Sequence, residues 1–323
     1  MRVLVVGLGS MGKRRIRLMK QYNSKLKILG VDTNIERAKS VQSEYDIDVA
    51  CSLEEACRKN NFDCAFVCTS PLSHHVVIDL LMKYDIDIFT EINLVNAGYD
   101  RYIEEKKIKI FLSSTFLYRK DVQWLIQRVQ HQNVNYIYHT GQYLPDWHPW
   151  EKYNEFFVGD EKTNGCREIL TIELPWLVEC FGNITGISVL KNNLTDLKIN
   201  YPDSYMLQIE HESGSKGLVA VDVVSRKATR TLEIYNETMQ VYWDGTPKSL
   251  REWDYNNLEM KIIQTYSNIM KDNKYCENII ENAYMDEIDA FFTWLNGDAS
   301  KVRYDFVKDA EIIKMIDQIE GKL

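Results

Sequence analysis

The apolar run Val3-Leu4-Val5-Val6 leads into Gly7-Leu8-Gly9-Ser10-Met11-Gly12, and an acid, Asp32, follows twenty residues after the last glycine. These residue types at this spacing suit a dinucleotide, and so hydride chemistry. Gly7 permits a tight turn, Gly9 leaves room for a pyrophosphate, and Gly12 lets the next helix pack closely on the strand. A helix opening at Ser10 and Met11 turns its unpaired amides and positive dipole end toward the phosphates. Asp32 is placed to accept from the adenosine ribose hydroxyls, and its charge repels a 2′-phosphate, so NAD is expected over NADP. Asn34 and Arg37 stand where a 2′-phosphate would be read. Lys13, Arg14 and Arg15 are expected to meet phosphate or solvent.

Further chemistry-bearing residues cluster after later strands. Cys68-Thr69-Ser70-Pro71-Leu72-Ser73-His74-His75 follows one apolar strand and Phe89-Thr90-Glu91-Ile92-Asn93 another, which puts both on one rim with the glycine loop. Downstream, Arg167, Glu168 and Glu173 are charged residues in the otherwise apolar Gly165 to Trp176. At about 100° per residue the two glutamates lie about 140° apart, so they cannot both address one atom. One is free to move a proton while the other pairs with Arg167, and burial would raise a carboxyl pKa toward neutrality as that task needs. The aromatic connection Gln142 to Tyr153 offers Trp147 and Trp150 either as packing residues or as faces for a sugar or nucleobase. In it His148, within a polar, proline-bounded loop, is a candidate for substrate contact or proton relay, whereas His74, His131, His139 and His211 fall in regular elements.

These residues need a scaffold. Strands and helices alternate at 2–6, 11–22, 26–31, 35–45, 52–59 and 63–68, then at 73–84, 86–89, 97–106 and 109–112, which is the order of a doubly wound parallel sheet. Ser52-Leu53-Glu54-Glu55 is a capping box. After Tyr118 a helix at 119–131 is followed by strands without intervening helices. Tyr205 to Glu212 alternates apolar and polar residues, as a half-buried antiparallel strand does, and 218–224, 231–235 and 239–243 join it. Helices are expected at 258–272, 279–296 and 305–319. The expected fold is α/β: residues 1–118 form a Rossmann domain, and residues 119–323 form an α+β domain on an open, mostly antiparallel sheet, with the terminal helices able to pack back on the first.

With 323 residues the chain exceeds one compact core. A net charge of -8 without any basic block excludes nucleic acid as a partner. No apolar run reaches a membrane span, and the start passes straight into a strand, so a cytoplasmic location without membrane contact is expected. The seven cysteines contain no CxxC pair and are expected to be reduced packing residues, and no metal site is expected.

With the glycine loop, Thr69-x-Pro71-x-x-x-His75, Thr90-Glu91, the helix Tyr284 to Leu295 and Asp305-Phe306-Val307-Lys308-Asp309-Ala310, the chain resembles the glucose-fructose oxidoreductase, inositol dehydrogenase and rhizopine catabolism family over its full length. The resemblance implies sugar-type substrates. It implies a nicotinamide bordered by Thr69, Pro71 and Glu91, beside His75 and Asn93, and substrate contacts at Tyr118 and Arg119, with Trp147, His148 and Arg167 nearby. Two motifs depart from the family. Its Glu-Lys-Pro is Glu91-Ile92-Asn93 here, and isoleucine cannot handle a proton. Its helical Asp and the His or Tyr four residues on correspond to Glu168 and Ile172, or to Glu173 after a one-residue shift. Glu173 is the first choice for the acid-base group, with Glu168 and His148 behind it.

The expected function is an NAD(H)-dependent oxidoreductase moving a hydride to or from a carbinol or keto carbon of a sugar derivative, such as a nucleotide or amino sugar. Ile92 keeps two alternatives open: a dinucleotide-binding sensor or partner subunit without catalysis, and an isomerase or epimerase recycling tightly bound NAD. The open sheet face points to a homodimer or homotetramer.

Overall fold

The computed structural model describes residues 1–130, 132–148, 151–272 and 279–322. His131, Trp150 and Cys276 lie outside these residues. The chain forms two compact units, Met1–Thr115 with Tyr284–Glu311, and Phe116–Ala283 with Ile312–Leu323.

The first unit is a six-stranded parallel sheet of β1 (Arg2–Val6), β2 (Lys27–Val31), β3 (Asp48–Ala50), β4 (Cys64–Val67), β5 (Asp87–Thr90) and β6 (Ile110–Leu112), in the order β3-β2-β1-β4-β5-β6. Val3 faces Ile28 on one side and Cys64 on the other, so the chain reverses direction across the sheet between β1 and β4. That switch point is where a doubly wound sheet opens its ligand crevice. The crossover helices are α1 (Ser10–Tyr22), α2 (Ile35–Tyr45), α3 (Leu53–Lys59), α4 (His74–Met82) and α5 (Tyr99–Glu104). Ser52 caps α3 by accepting from the Glu55 amide at 3.3 Å. Phe66, Phe89 and Phe111, on neighbouring strands, stack at 4.7 and 5.0 Å, and Phe291 of the helix Asn282–Leu295 packs against all three rings. Burying one such ring contributes about 1.5–3 kcal/mol, which binds this late helix to the first unit.

The second unit carries α6 (Lys120–Val129) and α7 (Gly165–Phe181) beside an eight-stranded sheet. Its strands are β7 (Asn135–Gly141), β8 (Ile184–Asn192), β9 (Ser204–His211), β10 (Lys216–Asp222), β11 (Thr229–Asn236), β12 (Met239–Trp243), β13 (Arg251–Asp254) and β14 (Glu259–Ile262), in the order β14-β13-β12-β11-β7-β10-β9-β8. All pairs are antiparallel except β7 with β10. Tyr136 stacks on Phe181 at 3.9 Å, and Tyr138 meets Trp176 edge-on at 5.4 Å, so α7 covers one sheet face. The opposite face exposes Ile137, Leu190, Met206 and Leu218.

The helix expected at 258–272 is not there. Asp254 Oδ1 accepts from the amides of Asn256 and Asn257, Leu258 takes a φ of 54°, and Glu259–Ile262 returns as β14. An Asx turn of this kind starts a hairpin rather than a helix.

Candidate functional site

The glycine loop has the stereochemistry a dinucleotide needs. Gly7 has a φ of 91°, and a Cβ there would lie 2.6 Å from the Cys68 carbonyl oxygen. A Cβ on Gly12 would lie 1.9 Å from the Gly7 carbonyl oxygen, whereas one on Gly9 would meet open space. Gly9 caps α1 without a side chain, no acid stands in the first turn, and the first helical bond runs from the Lys13 amide to the Gly9 carbonyl. The Met11 and Gly12 amides therefore have no acceptor within the helix. Asp32 stands directly beneath: Oδ2 accepts from the Leu8 amide at 2.8 Å and from Arg37 Nη1 at 3.3 Å, while Oδ1 accepts from the Asn34 amide. Asn34 caps α2, so its side chain is already used.

On the rim after β4 and β5, His74 bridges the two loops. Its Nδ1 meets Asn93 Oδ1 at 2.6 Å, its Nε2 meets the Thr69 carbonyl at 2.9 Å, and burial lowers its pKa. Thr69 Oγ1 and His75 Nδ1 are buried there without partners. Such orphans are rare unless a ligand completes them; Thr69 follows the end of β4, and His75 stands in the first turn of α4. Pro71 opens the short 3-10 turn between Thr69 and α4.

Glu91 is engaged elsewhere. Its carboxylate takes Arg15 Nε at 2.6 Å and Nη2 at 3.1 Å, and Arg15 Nη2 also reaches Glu287 at 2.8 Å. Glu287 accepts in addition from Ser113 Oγ, the Ser114 amide and Thr115 Oγ1, and its pKa is raised by burial. Arg15 is 0% exposed and Arg14 is buried as well, while Lys13 pairs with Glu44. The expectation that Arg14 and Arg15 meet phosphate or solvent is corrected: Arg15 locks the glycine-loop helix to the ends of β5 and β6 and to the helix Asn282–Leu295.

In the second unit, Glu173 corrects the first choice for proton transfer. Its Oε2 accepts from Tyr138 Oη at 2.6 Å and Trp176 Nε1 at 2.7 Å, and its Oε1 from Arg230 Nε at 3.1 Å and Nη2 at 2.6 Å. A buried carboxylate with four donors is a fixed ion-pair partner, and it is not Arg167 that pairs with it. Arg167 instead binds Glu320 at 2.5 Å and Asp317 at 2.8 Å. Arg119 holds Asp121 through two nitrogens and the Gly245 carbonyl at 2.7 Å, with its guanidinium over Trp243. Tyr118 is buried too. Arg119 and Arg167, expected to contact substrate, are thus held in internal ion pairs.

Glu168 has the opposite environment. Its Oε2 is buried with no hydrogen-bond partner, and desolvation lifts the carboxyl pKa to about 7. It stands in the first turn of α7, whose start is fixed by Asn164 accepting from the Arg167 amide. Trp147 donates Nε1 to the Gln142 carbonyl at 3.0 Å and packs at Gly165, one turn before Glu168. His148 stacks on Phe156 at 4.7 Å, with Nδ1 3.5 Å from Glu151.

Sequence reasoning missed Arg15, Glu287 and Arg230. Arg15 had a signal: it lies between Gly12 and Met19 on the buried stripe of α1. Glu287 and Arg230 had none, because their partners are far away in the chain.

Residues 1–92 match the oxidoreductase family with an NAD-binding Rossmann fold named for glucose-fructose oxidoreductase, inositol dehydrogenase and rhizopine catabolism. No protein of curated function matches the sequence. Among solved structures the chain is similar to an Agrobacterium radiobacter oxidoreductase in complex with NAD+, L-tartaric acid and magnesium, at 13% identity and a TM-score of 0.78, covering 99% of this chain and 96% of that one. It is also similar to UDP-N-acetylglucosamine 3-dehydrogenase from Acidithiobacillus ferrooxidans (14%, 0.74, 100% and 97%). A third is the WlbA dehydrogenase from Bordetella pertussis with NADH and UDP-GlcNAcA (13%, 0.74, 100% and 95%). Likeness at these identities establishes the fold of both units. The family match covers the NAD-binding Rossmann segment, residues 1–92. Among the described residues no helix is long and apolar enough to cross a membrane, and no group of His, Cys, Asp and Glu could hold a metal ion.

Proposed function

We propose that this oxidoreductase acts on a carbinol or keto carbon of a sugar derivative, with Glu168 as the proton-handling residue in place of the family lysine that Ile92 replaces. The observation that carries the reading is the contrast on α7 between Glu173, saturated by four donors, and Glu168, whose buried Oε2 has none. A bound nicotinamide would supply the hydride donor or acceptor. Glu168, poised at a pKa of about 7, takes the hydroxyl proton in the oxidative direction and returns it to the carbonyl oxygen in the reductive one. Thr69 Oγ1 and His75 Nδ1 are assigned to the nicotinamide half of the cofactor, and the Met11 and Gly12 amides to its pyrophosphate. Asp32 favours NAD over NADP, since a 2′-phosphate would stand against its charge, and Arg37 is already paired with it. Trp147 and His148 offer the sugar an apolar face and a hydroxyl partner.

The named substrates of two similar structures are nucleotide sugars, which supports that class for this chain. Ile137, Leu190, Met206 and Leu218 on the open sheet face support a homodimer or homotetramer. The test is incubation of the wild type, Glu168→Gln and Glu173→Gln with NAD or NADH and a panel of sugars and nucleotide sugars, with mass detection of a two-hydrogen change. The wild type is expected to turn over and Glu168→Gln to lose about 10²- to 10⁴-fold. Equal rates in Glu168→Gln and wild type overturn the assignment.

A further inference from the structure

Arg226 is exposed, yet its guanidinium lies 3.7 Å from the centre of the Tyr143 ring. Among the described residues it has no carboxylate or carbonyl partner, although most arginines of this chain do. A guanidinium held flat on an aromatic ring keeps its in-plane N–H groups available, and these form the fork that matches a phosphate or carboxylate bidentately.

The loop that carries it is wired in place. Asp222, at the end of β10, accepts from the Val224 amide at 2.9 Å and the Ser225 amide at 2.7 Å through Oδ1, and from Ser225 Oγ at 3.0 Å and His139 Nε2 at 2.7 Å through Oδ2. These bonds outweigh the burial of Asp222 and hold its carboxyl pKa below the usual range. The Tyr143 loop is tied to the same segment, since the Tyr143 amide donates to the Ser225 carbonyl at 2.7 Å and the Leu144 amide to the Val223 carbonyl at 2.9 Å. Leu144 and Val223 both pack at Gly165, so the two loops rest on the start of α7, one turn before Glu168. Lys227 follows directly and has no ion-pair partner among the described residues.

We infer that Arg226, stacked on Tyr143 and backed by Lys227, is the subsite for a phosphate group on the substrate, and that the Asp222–His139 pair positions it. The substrate class is then a phosphorylated or nucleotide-diphosphate sugar, not a neutral polyol. This rests on the sugar-type reading of the Glu168 site above and narrows it.

The test measures binding of glucose 1-phosphate, UDP-glucose, glucuronate and glucose to the wild type, Arg226→Gln, Arg226→Lys and Asp222→Asn, each saturated with NADH. The wild type is expected to bind the two phosphate-bearing probes at least tenfold more tightly than glucose, with affinity falling as salt rises. Arg226→Gln loses that preference by about tenfold to a hundredfold, Arg226→Lys by less, and Asp222→Asn falls between, while NADH affinity is unchanged in all three. A preference for glucuronate that Arg226→Gln abolishes would make this a carboxylate subsite and overturn the phosphate assignment. So would undiminished binding of both phosphate probes by Arg226→Gln, or no binding of either by the wild type. The broader oxidoreductase reading fails on a different result, the absence of NADH binding or of hydride transfer to every sugar.

Discussion

Replacing Glu173 by glutamine separates an ion-pair residue from a proton-transfer residue. Glutamine keeps one acceptor oxygen and presents an NH2 group where the second stood. Turned one way, that group faces the donors Tyr138 Oη and Trp176 Nε1, which now sit 2.6 and 2.7 Å from Oε2; turned the other way, it faces Arg230. Either orientation leaves a buried donor unsatisfied and Arg230 as a cation without a counter-charge. Breaking a buried pair on one side costs about 3–5 kcal/mol, a large share of the 5–15 kcal/mol that typically separates folded from unfolded chains. For a unit of this size that corresponds to a fall in Tm of roughly 6–20 °C. Thermal and urea unfolding measure it, with Glu173→Leu and Glu173→Leu/Arg230→Met as the second leg, because removing both charges is expected to restore part of the loss. Below its midpoint, Glu173→Gln should turn over at a rate close to wild type. A variant as stable as the wild type but a hundredfold slower would return Glu173 to the acid-base role.

Three further outcomes follow from individual sites. Glu168 carries a folded-state pKa of about 7 against an ordinary carboxyl value, so the unfolded chain releases its proton first. Stability is then full at low pH and falls as pH rises from the ordinary carboxyl range to about 7. Glu168→Gln should abolish that fall and unfold later than wild type at pH 8 but not at pH 4, which urea titrations at the two pH values check. Gly12→Ala drives a methyl into the Gly7 carbonyl oxygen, so NADH should no longer raise Tm, as differential scanning fluorimetry would show. Leu218→Glu, in the centre of the exposed sheet face, should convert the proposed oligomer to a monomer by light scattering without changing NADH affinity.

The cofactor half of the site was legible because its determinants are local. Gly7, Gly9, Gly12 and Asp32 sit at fixed chain spacings, and each spacing corresponds to one steric requirement of the turn. The alternation of strands and helices in the first unit is legible from hydrophobic periodicity, whereas the strand orders come from the fold. Leu258, Ile262 and Tyr266 illustrate the limit: they satisfy a helical period, while Leu258, Met260 and Ile262 also alternate, and the Asx turn at Asp254 decides for a strand. Charges were the least legible. Glu168 and Glu173 lie on one helix with similar neighbours in sequence, and what distinguishes them is Arg230, 57 residues from Glu173. Arg119 has its partner Asp121 only two residues on, but Arg167 pairs with Glu320, 153 residues away, and with Asp317. Pairing across such separations is a property of the fold and leaves no local pattern.

The most direct test of hydride transfer with Glu168 as its proton partner uses NADH deuterated at C4, mixed with the wild type or Glu168→Gln and a pool of oxidised phosphate-bearing sugars, with deuterium followed by mass spectrometry. Deuterium is expected on one sugar carbon in the wild type, at a rate that depends on a group titrating near pH 7, with at least a hundredfold slower labelling without that dependence in Glu168→Gln. Bound NADH with no deuterium in any sugar, or equal labelling by both proteins across pH, would contradict it.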